Sequence, residues 1–148
     1  MTFELNDAFM CEAVPPEVMD ALWSGGWRHF GKLFFRYERQ ETEDGTPQTV
    51  TPLRIRMENW QPTKSQRRVL RRNADLRWDM RPVKLDDDLR ALFERHKARF
   101  RENVPEKLEN FVGDAPEAGP CDCRMLRVFE HDKLLAVSFL DVGKRAFR

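Results

Sequence analysis

Trp60-Gln61-Pro62-Thr63-Lys64-Ser65-Gln66-Arg67-Arg68-Val69-Leu70-Arg71-Arg72-Asn73 is the stretch on which the reading of this chain turns. Between Trp60 and Arg72 it carries five cations (Lys64, Arg67, Arg68, Arg71, Arg72) and no acid. Thr63-x-x-Gln66 has the form of a capping box, so a helix is predicted to start at Lys64. Its first turn then presents unpaired N–H groups and a positive dipole end beside Lys64 and Ser65, an arrangement that suits a phosphate or carboxylate. Helical spacing sets Lys64, Arg68, Arg71 and Arg72 along one broad face and lets Val69 and Leu70 turn toward a core. The plainer alternative is a solvated basic helix face.

The rest of the composition frames that stretch. The 148 residues, 41% hydrophobic and 34% charged, describe a globular chain with room for a core rather than a disordered one. Net charge is only +1, yet Arg54 to Arg101 holds fifteen Lys/Arg against seven Asp/Glu. A near-neutral chain with a basic middle fits a phosphate-rich partner bound at one place. No run is long and apolar enough to span a bilayer, so no membrane partner is expected. The N-terminus lacks the basic head and apolar run of a signal peptide, and three cysteines do not make a disulfide framework. The expected location is cytoplasmic.

Outward from the basic stretch, the pattern predicts an α/β chain in an α+β layout. Residues before Pro15 read as irregular. Pro15-Pro16-Glu17 opens a helix with Val18, Met19 and Leu22 on its apolar stripe and Gly25-Gly26 as its stop. Trp27 to Gly31 reads as a turn, Leu33 to Tyr37 as a strand, Asp44-Gly45 as a hairpin connection and Pro52 to Met57 as the return strand. Leu76, Trp78 and Met80 alternate with Arg77, Asp79 and Arg81 as a half-buried strand. Asp86-Asp87-Asp88 caps a helix bearing Leu89, Leu92, Phe93, His96 and Phe100, with His96 expected to be interior. Pro105 begins a short helix through Phe111. Residues 113–120 form a Gly/Pro-rich linker between an N-terminal part, 1–112, and a C-terminal part, 121–148. In the latter, Met125 to Phe129 and Leu134 to Leu140 make a hairpin around His131-Asp132, the second strand apolar enough to be buried on both faces.

Other residues carry weaker chemical signals. Cys121-Asp122-Cys123 is a CxC pair that, with Cys11 and no histidine at ligand spacing, points to packing in the linker rather than to a metal. Trp27, Trp60 and Trp78 lie beside cations, where they can hold unpaired bases, though core packing is the simpler role. Asp141 ends the last strand, where a carboxylate can position an amine or cap a turn.

Three segments resemble the aminoacyl-tRNA–protein transferases of the N-end rule pathway, the arginyltransferases and their bacterial aspartate/glutamate leucyltransferase relatives. Gly26-Trp27-Arg28-His29-Phe30-Gly31 looks like the family's GWR-x-x-G element. The stretch from Trp60 to Asn73 looks like its F-[KR]-P-[ST]-[KR]-SQRR-x-[LI]-[KR]-R-N box, and Leu134 to Asp141 is similar to the strand that begins its transferase half. The resemblance implies an acetyltransferase-like mixed sheet in that half. It also implies transfer of arginine or leucine from charged tRNA to proteins beginning with Asp or Glu, an arginyltransferase-like activity that marks proteins for degradation. The acceptor amine attacks an ester that is already activated, so no cofactor is implied. Lys64, Arg67, Arg68, Arg71 and Arg72, with Ser65, Gln66, Trp27 and Arg28, are the implied contacts to tRNA or to the acceptor carboxylate, and Asp141 the implied catalytic carboxylate near the amine. Some members carry paired cysteines that bind an iron–sulfur cluster; here Gln48-Thr49-Val50-Thr51-Pro52 holds none, so no metal is implied. The family's S-S-x-Y-x-x-F-D-P segment does not follow Asp141, and the expectation is a chain lacking the C-terminal part. A second reading keeps the basic box as a non-catalytic module that binds tRNA or acidic N-termini.

Overall fold

A computed structural model describes residues 2–4, 7–42, 44–101 and 104–148. In chain order the elements are β1 (Thr2–Glu4), β2 (Asp7–Met10), α1 (Pro16–Ser24), β3 (Arg28–Phe30), β4 (Leu33–Arg36), β5 (Arg39–Glu41) and β6 (Pro47–Thr49). They continue as α2 (Lys64–Arg72), β7 (Arg77–Pro82), α3 (Asp87–Lys97), α4 (Glu109–Val112), β8 (Asp122–Glu130) and β9 (Lys133–Val142). The strands form three antiparallel sheets in the orders β1-β5-β6, β2-β4-β3 and β7-β8-β9. The mixed α+β class expected from the sequence holds.

Two apolar clusters organise these layers. Met19, Trp23 and Phe34 are buried with Val14 where α1 covers the β2-β4-β3 sheet. Val83, Leu89, Leu108 and Met125 are buried where α3 covers one face of β7-β8-β9. Asp86 caps α3 as expected, its Oδ1 accepting from the Leu89 N–H at 3.0 Å. The β8–β9 hairpin turns on His131-Asp132, as the sequence predicts, with register shifting between Val128 and Phe129. The sheet takes β7 from before the 113–120 segment and β8 and β9 from after it.

Register decides which face each residue takes. Arg81 opposes Met125, Asp79 opposes Arg127 and Val137 opposes Arg127 on the α3 side. There Asp79 receives both Nε (2.8 Å) and Nη2 (2.5 Å) of Arg127, a bidentate clamp between β7 and β8. The other face carries Trp78, Met80, Leu126, Val128, Leu140 and Val142, and it is an open apolar groove. Trp78 is 66% exposed. The alternation read for this strand is therefore correct in period and inverted in burial, because the single helix layer covers the polar side. Leu135, Val137 and Phe139 of β9 are half-buried.

Several local expectations are corrected. Met1, Leu5 and Asn6 lie outside the described residues, but Thr2–Glu4 and Asp7–Met10, read as irregular, are strands because β5 and β4 offer them edges. Arg28–Phe30 is a strand rather than a turn, paired with Leu33–Phe35. The return strand of the second hairpin is Pro47–Thr49; among the described residues Pro52 to Met57 has no strand partner, and Leu53 and Ile55 are exposed. Val18 faces out while Trp23 is buried in its place. Val69 and Leu70 of α2 do not reach a core and are exposed, as is His96, whose ring packs edge-on against Phe100 at 5.1 Å. Pro105 precedes its helix by one turn, since α4 begins at Glu109. Trp60 and Trp78 are surface residues, and of the three tryptophans beside cations only Trp27 packs against the first cluster.

After β9 the chain folds back. Asp141 and Arg148 exchange backbone hydrogen bonds at 2.8 and 2.9 Å, and the buried Asp20 carboxylate of α1 accepts the backbone N–H groups of Arg145 (2.9 Å) and Ala146 (3.2 Å). A Cβ on Gly143 would stand 2.2 Å from Asp20 Oδ1 and 2.9 Å from Trp23 Cζ3. Gly143→Ala should therefore lower stability by about 1–3 kcal/mol in urea unfolding. On the same assay, Met125→Ala, at a fully buried position, should cost about 2–5 kcal/mol. Val69→Ala should change stability by less than about 0.5 kcal/mol.

Candidate functional site

The implied site residues fall into two groups. The first lies on α2. Thr63 caps this helix with a complete box: its hydroxyl accepts from Gln66 N–H at 3.3 Å, and Gln66 Oε1 accepts from Thr63 N–H at 2.8 Å. Thr63 and Ser65 hydroxyls are 3.0 Å apart. Arg67 donates to the Pro62 carbonyl, which folds it back over the entry to the helix. No residue of α2 is buried. Among the described residues, Lys64, Arg67, Arg68, Arg71 and Arg72 enter no ion pair, while cations elsewhere in the chain do, as Arg36 with Asp7 and Arg127 with Asp79. Five like charges on nine helical residues repel one another, so the surface is held ready for an external anion.

The second group lies where β3 meets β9. The Trp27 ring packs edge-on against Phe9 at 4.9 Å and lies under the Arg36 guanidinium at 5.4 Å. Its indole is thus committed to packing, and its carbonyl accepts from Arg148 Nη1 at 2.9 Å. Arg28 donates to the Tyr37 hydroxyl at 2.5 Å and lies 4.6 Å over that ring. Between these, His29 Nε2 donates to Asp141 Oδ2 at 2.9 Å, and Nδ1 donates to the Gly31 carbonyl at 2.9 Å. The ring stacks on Phe34 at 4.9 Å. No hydrogen bond or ion pair links this group to α2 among the described residues.

Local geometry explains why His29 points there. His29 opposes Phe34 across the β3–β4 pair, and the intervening Gly31 takes φ 52°, which frees its carbonyl to face back to the ring. Gly31 faces Gly113, and a Cβ on Gly31 would make ordinary contact with Gly113 Cα at 3.5 Å. On the other side, Cys123 directly opposes Asp141 across β8–β9, so Cys121, Cys123 and Asp141 share a face. The Cys121 sulfur lies 3.9 Å from His29 Nε2. One ligand atom each from His29, Cys121 and Asp141 fall within 4.8 Å of one another. Sequence reading kept Asp141 but missed this cluster. His29 stood in the GWR-x-x-G element and the CxC pair was noticed, yet no local spacing joins residues 92 and 112 positions apart.

The electrostatics follow from burial and charge. Burial works to lower the His29 pKa, but the hydrogen bond and charge of Asp141, with the Gly31 carbonyl, outweigh it and hold it above the usual value. Burial pushes Asp141 up, and the hydrogen bond and charge of His29 more than reverse this, leaving it lowered. Burial, followed by the negative Asp141, pushes Cys123 up to about 12 and Cys121 higher still. Arg148 is lowered by burial and by the neighbouring Arg28. Cys121 and Cys123 are thus held as neutral thiols, and His29 and Asp141, whose side chains are only 9% and 22% exposed, each favour the charged form of the other.

No protein-family model matches the chain. Among curated proteins it is similar to a transferase, and 132 residues align at 27% identity, covering 86% of the chain. That relative is the aspartate/glutamate leucyltransferase of Vibrio cholerae serotype O1. The aligned part is 53% of the relative, so the chain spans about half its length. Among the described residues no helix is long and apolar enough to cross a membrane.

A raised histidine stabilises the fold below its ordinary pKa of about 6.5, an effect lost as pH rises through the raised value; a lowered aspartate stabilises above about 4, an effect lost as pH falls through the lowered one. The pair should contribute most between about pH 4 and 6.5. In chelator-containing buffer, the urea midpoint should fall more steeply from pH 6.5 to 8 in the wild type than in His29→Gln. Parallel curves would mean that the pair carries no net stabilisation.

Proposed function

We propose that this chain acts in aminoacyl-tRNA–protein transfer, moving leucine or arginine from charged tRNA to the N-terminal amine of proteins that begin with Asp or Glu, the tagging step of N-end rule degradation in the cytoplasm. The observation that carries the reading is α2, a capped helix whose five cations meet no acid and enter no ion pair among the described residues. The distant leucyltransferase likeness supports it and makes leucine the first donor to test.

In this reading α2 binds tRNA phosphates, with Lys64, Arg68, Arg71 and Arg72 on one face and Ser65 and Gln66 at the helix start. Arg28 takes the acceptor's acidic side chain, and Trp27 fixes the strand that carries it. The acceptor's neutral α-amine adds to the ester carbonyl; the tetrahedral intermediate expels the tRNA 3′-oxygen, which takes up the proton the amine loses. A peptide bond forms and an ester bond breaks, with no cofactor required. Asp141, already engaged by His29, serves this reaction as a positioning residue that holds β3 against β9. The second reading, a module that binds tRNA or acidic N-termini without transfer, is favoured by one observation. The His29–Asp141 pair is closed on itself rather than presented to an open cleft.

The experiment is a transfer assay with leucyl- and arginyl-tRNA and peptides beginning with Asp, Glu or Ala, read by peptide mass, beside tRNA binding at several salt concentrations. Transfer to acidic peptides alone establishes the first reading; salt-sensitive binding without transfer establishes the second. Lys64→Ala with Arg68→Ala should weaken tRNA binding and flatten its log–log salt dependence by about 0.7–0.9 for each phosphate that is no longer neutralised. Unchanged affinity and slope in that double variant would remove α2 from the interface.

A further inference from the structure

We propose that His29, Cys121 and Asp141 form a binding site for a divalent transition-metal ion, with Zn²⁺ the ion that fits. The proposal goes beyond aminoacyl transfer and does not depend on it. Its basis is convergence: β3, the entry to β8, and β9 each bring one donor to a common point, and the three ligand atoms lie within 4.8 Å of one another. They differ in type, an imidazole nitrogen, a sulfur and a carboxylate oxygen, and this mixed set is borderline-soft. Thiolate and imidazole select Zn²⁺ over Mg²⁺, Ca²⁺ or Mn²⁺, which prefer all-oxygen shells.

The surroundings are those of a ligand set already oriented. The Gly31 carbonyl holds the proton of His29 Nδ1 at 2.9 Å, so the nitrogen that can coordinate is Nε2, the one that faces Asp141 and Cys121. A ligating histidine commonly donates its second N–H to a backbone carbonyl in this way. Phe34 stacks on the ring and restricts its rotation. Cys123, opposite Asp141 in the β8–β9 register, is the outer neighbour of the carboxylate rather than a ligand. The fourth position is left to water.

Charge balance also fits. A metal ion in that place bonds to Nε2, Sγ and a carboxylate oxygen, and the thiol proton, with any proton on Nε2, leaves to solvent. The thiolate and the carboxylate together offset the two charges of the ion, so this half-buried place gains no uncompensated charge. An iron–sulfur cluster on four thiolates does not fit, since the chain has three cysteines and the Cys11 thiol is turned to the Ala13 carbonyl at 3.3 Å. A metal here is the reverse of the expectation from sequence, in which the CxC pair served only packing.

The test is titration of the reduced, chelator-stripped full chain with Co²⁺, followed by Zn²⁺ displacement. One Co²⁺ per chain should give a thiolate-to-cobalt charge-transfer band and the visible bands of a tetrahedral ion, both bleached by Zn²⁺. Cys121→Ser should lose the charge-transfer band, and Cys123→Ser should keep it. His29→Gln should weaken Co²⁺ binding at least about 10-fold. Should Cys121→Ser not fold, thiol alkylation of the wild type read by peptide mass decides, because zinc at the site should protect Cys121 and leave Cys11 unprotected. A wild-type chain with no charge-transfer band, a band that survives Cys121→Ser, or Cys121 alkylation that zinc does not slow would overturn the proposal. None of these measurements involves tRNA, so its failure and that of the transfer reading are separate results.

Discussion

The contact between His29 and Asp141 joins residues 112 positions apart and, with the Asp20 and Arg148 contacts, sets how the N-terminal and C-terminal strands meet. β3 is the outer strand of one small sheet and β9 the outer strand of another. With the His29–Asp141 contact, the ends of two sheets are fastened by a low-exposure ion pair. Such a pair gains little from Coulomb attraction alone once desolvation is counted, and losing one partner leaves a buried charge uncompensated. Its contribution is chiefly to fix which strand end meets which. The Asp20 carboxylate, by accepting the Arg145 and Ala146 N–H groups, holds the returning chain so that Asp141 is presented to His29 rather than frayed.

The two clusters of apolar side chains then set the division of labour. Each sheet of the pair has one helix-covered face: α1 over β2-β4-β3, and α3 over β7-β8-β9. A sheet with one cover buries one set of alternate residues, and here the covered side of β7 carries Asp79 and Arg81. These survive beside the core because each is paired, Asp79 with Arg127 and Arg81 with Asp86. The apolar residues Trp78 and Met80 are left on the open side. The same one-sided architecture leaves α2 free to expose all five cations, since no residue of that helix is needed for the core.

Local rules were legible wherever the chain settles its structure by itself. The Thr63–Gln66 box, the Asp86 cap, the Pro16 start with its Gly25-Gly26 stop and the His131-Asp132 turn each depend on neighbours within a few residues, and each stands where the sequence puts it. What period and propensity cannot supply is the partner. The alternation in β7 gives two faces and does not say which one a helix will cover, so the burial of Trp78 and Asp79 came out exchanged. Arg28–Phe30 has no strand pattern of its own and becomes one because Leu33–Phe35 turns back along it. The His29–Cys121–Asp141 cluster was illegible for the same reason in stronger form. Each residue sat in a segment already singled out, but their meeting is a property of the β8–β9 register and of the Asp141–His29 contact, neither of which leaves a mark in spacing.

The two candidate surfaces also differ in what they require of the fold. An electrostatic surface such as α2 needs only exposure and a start point, because a phosphate backbone can be met by several geometries and affinity comes from the number of cations engaged. A site that joins imidazole, thiol and carboxylate needs each atom placed to a fraction of an ångström, and the chain provides that placement only where strands are cross-braced. In this chain the basic helix has no buried residue, and the His29 cluster lies where β3, β9 and the returning chain meet. Binding strength and structural precision are thus carried by separate parts of the molecule. A change that alters the charge of α2 need not disturb the cross-brace, whereas loss of the cross-brace removes the support on which Arg28 and Trp27 are held.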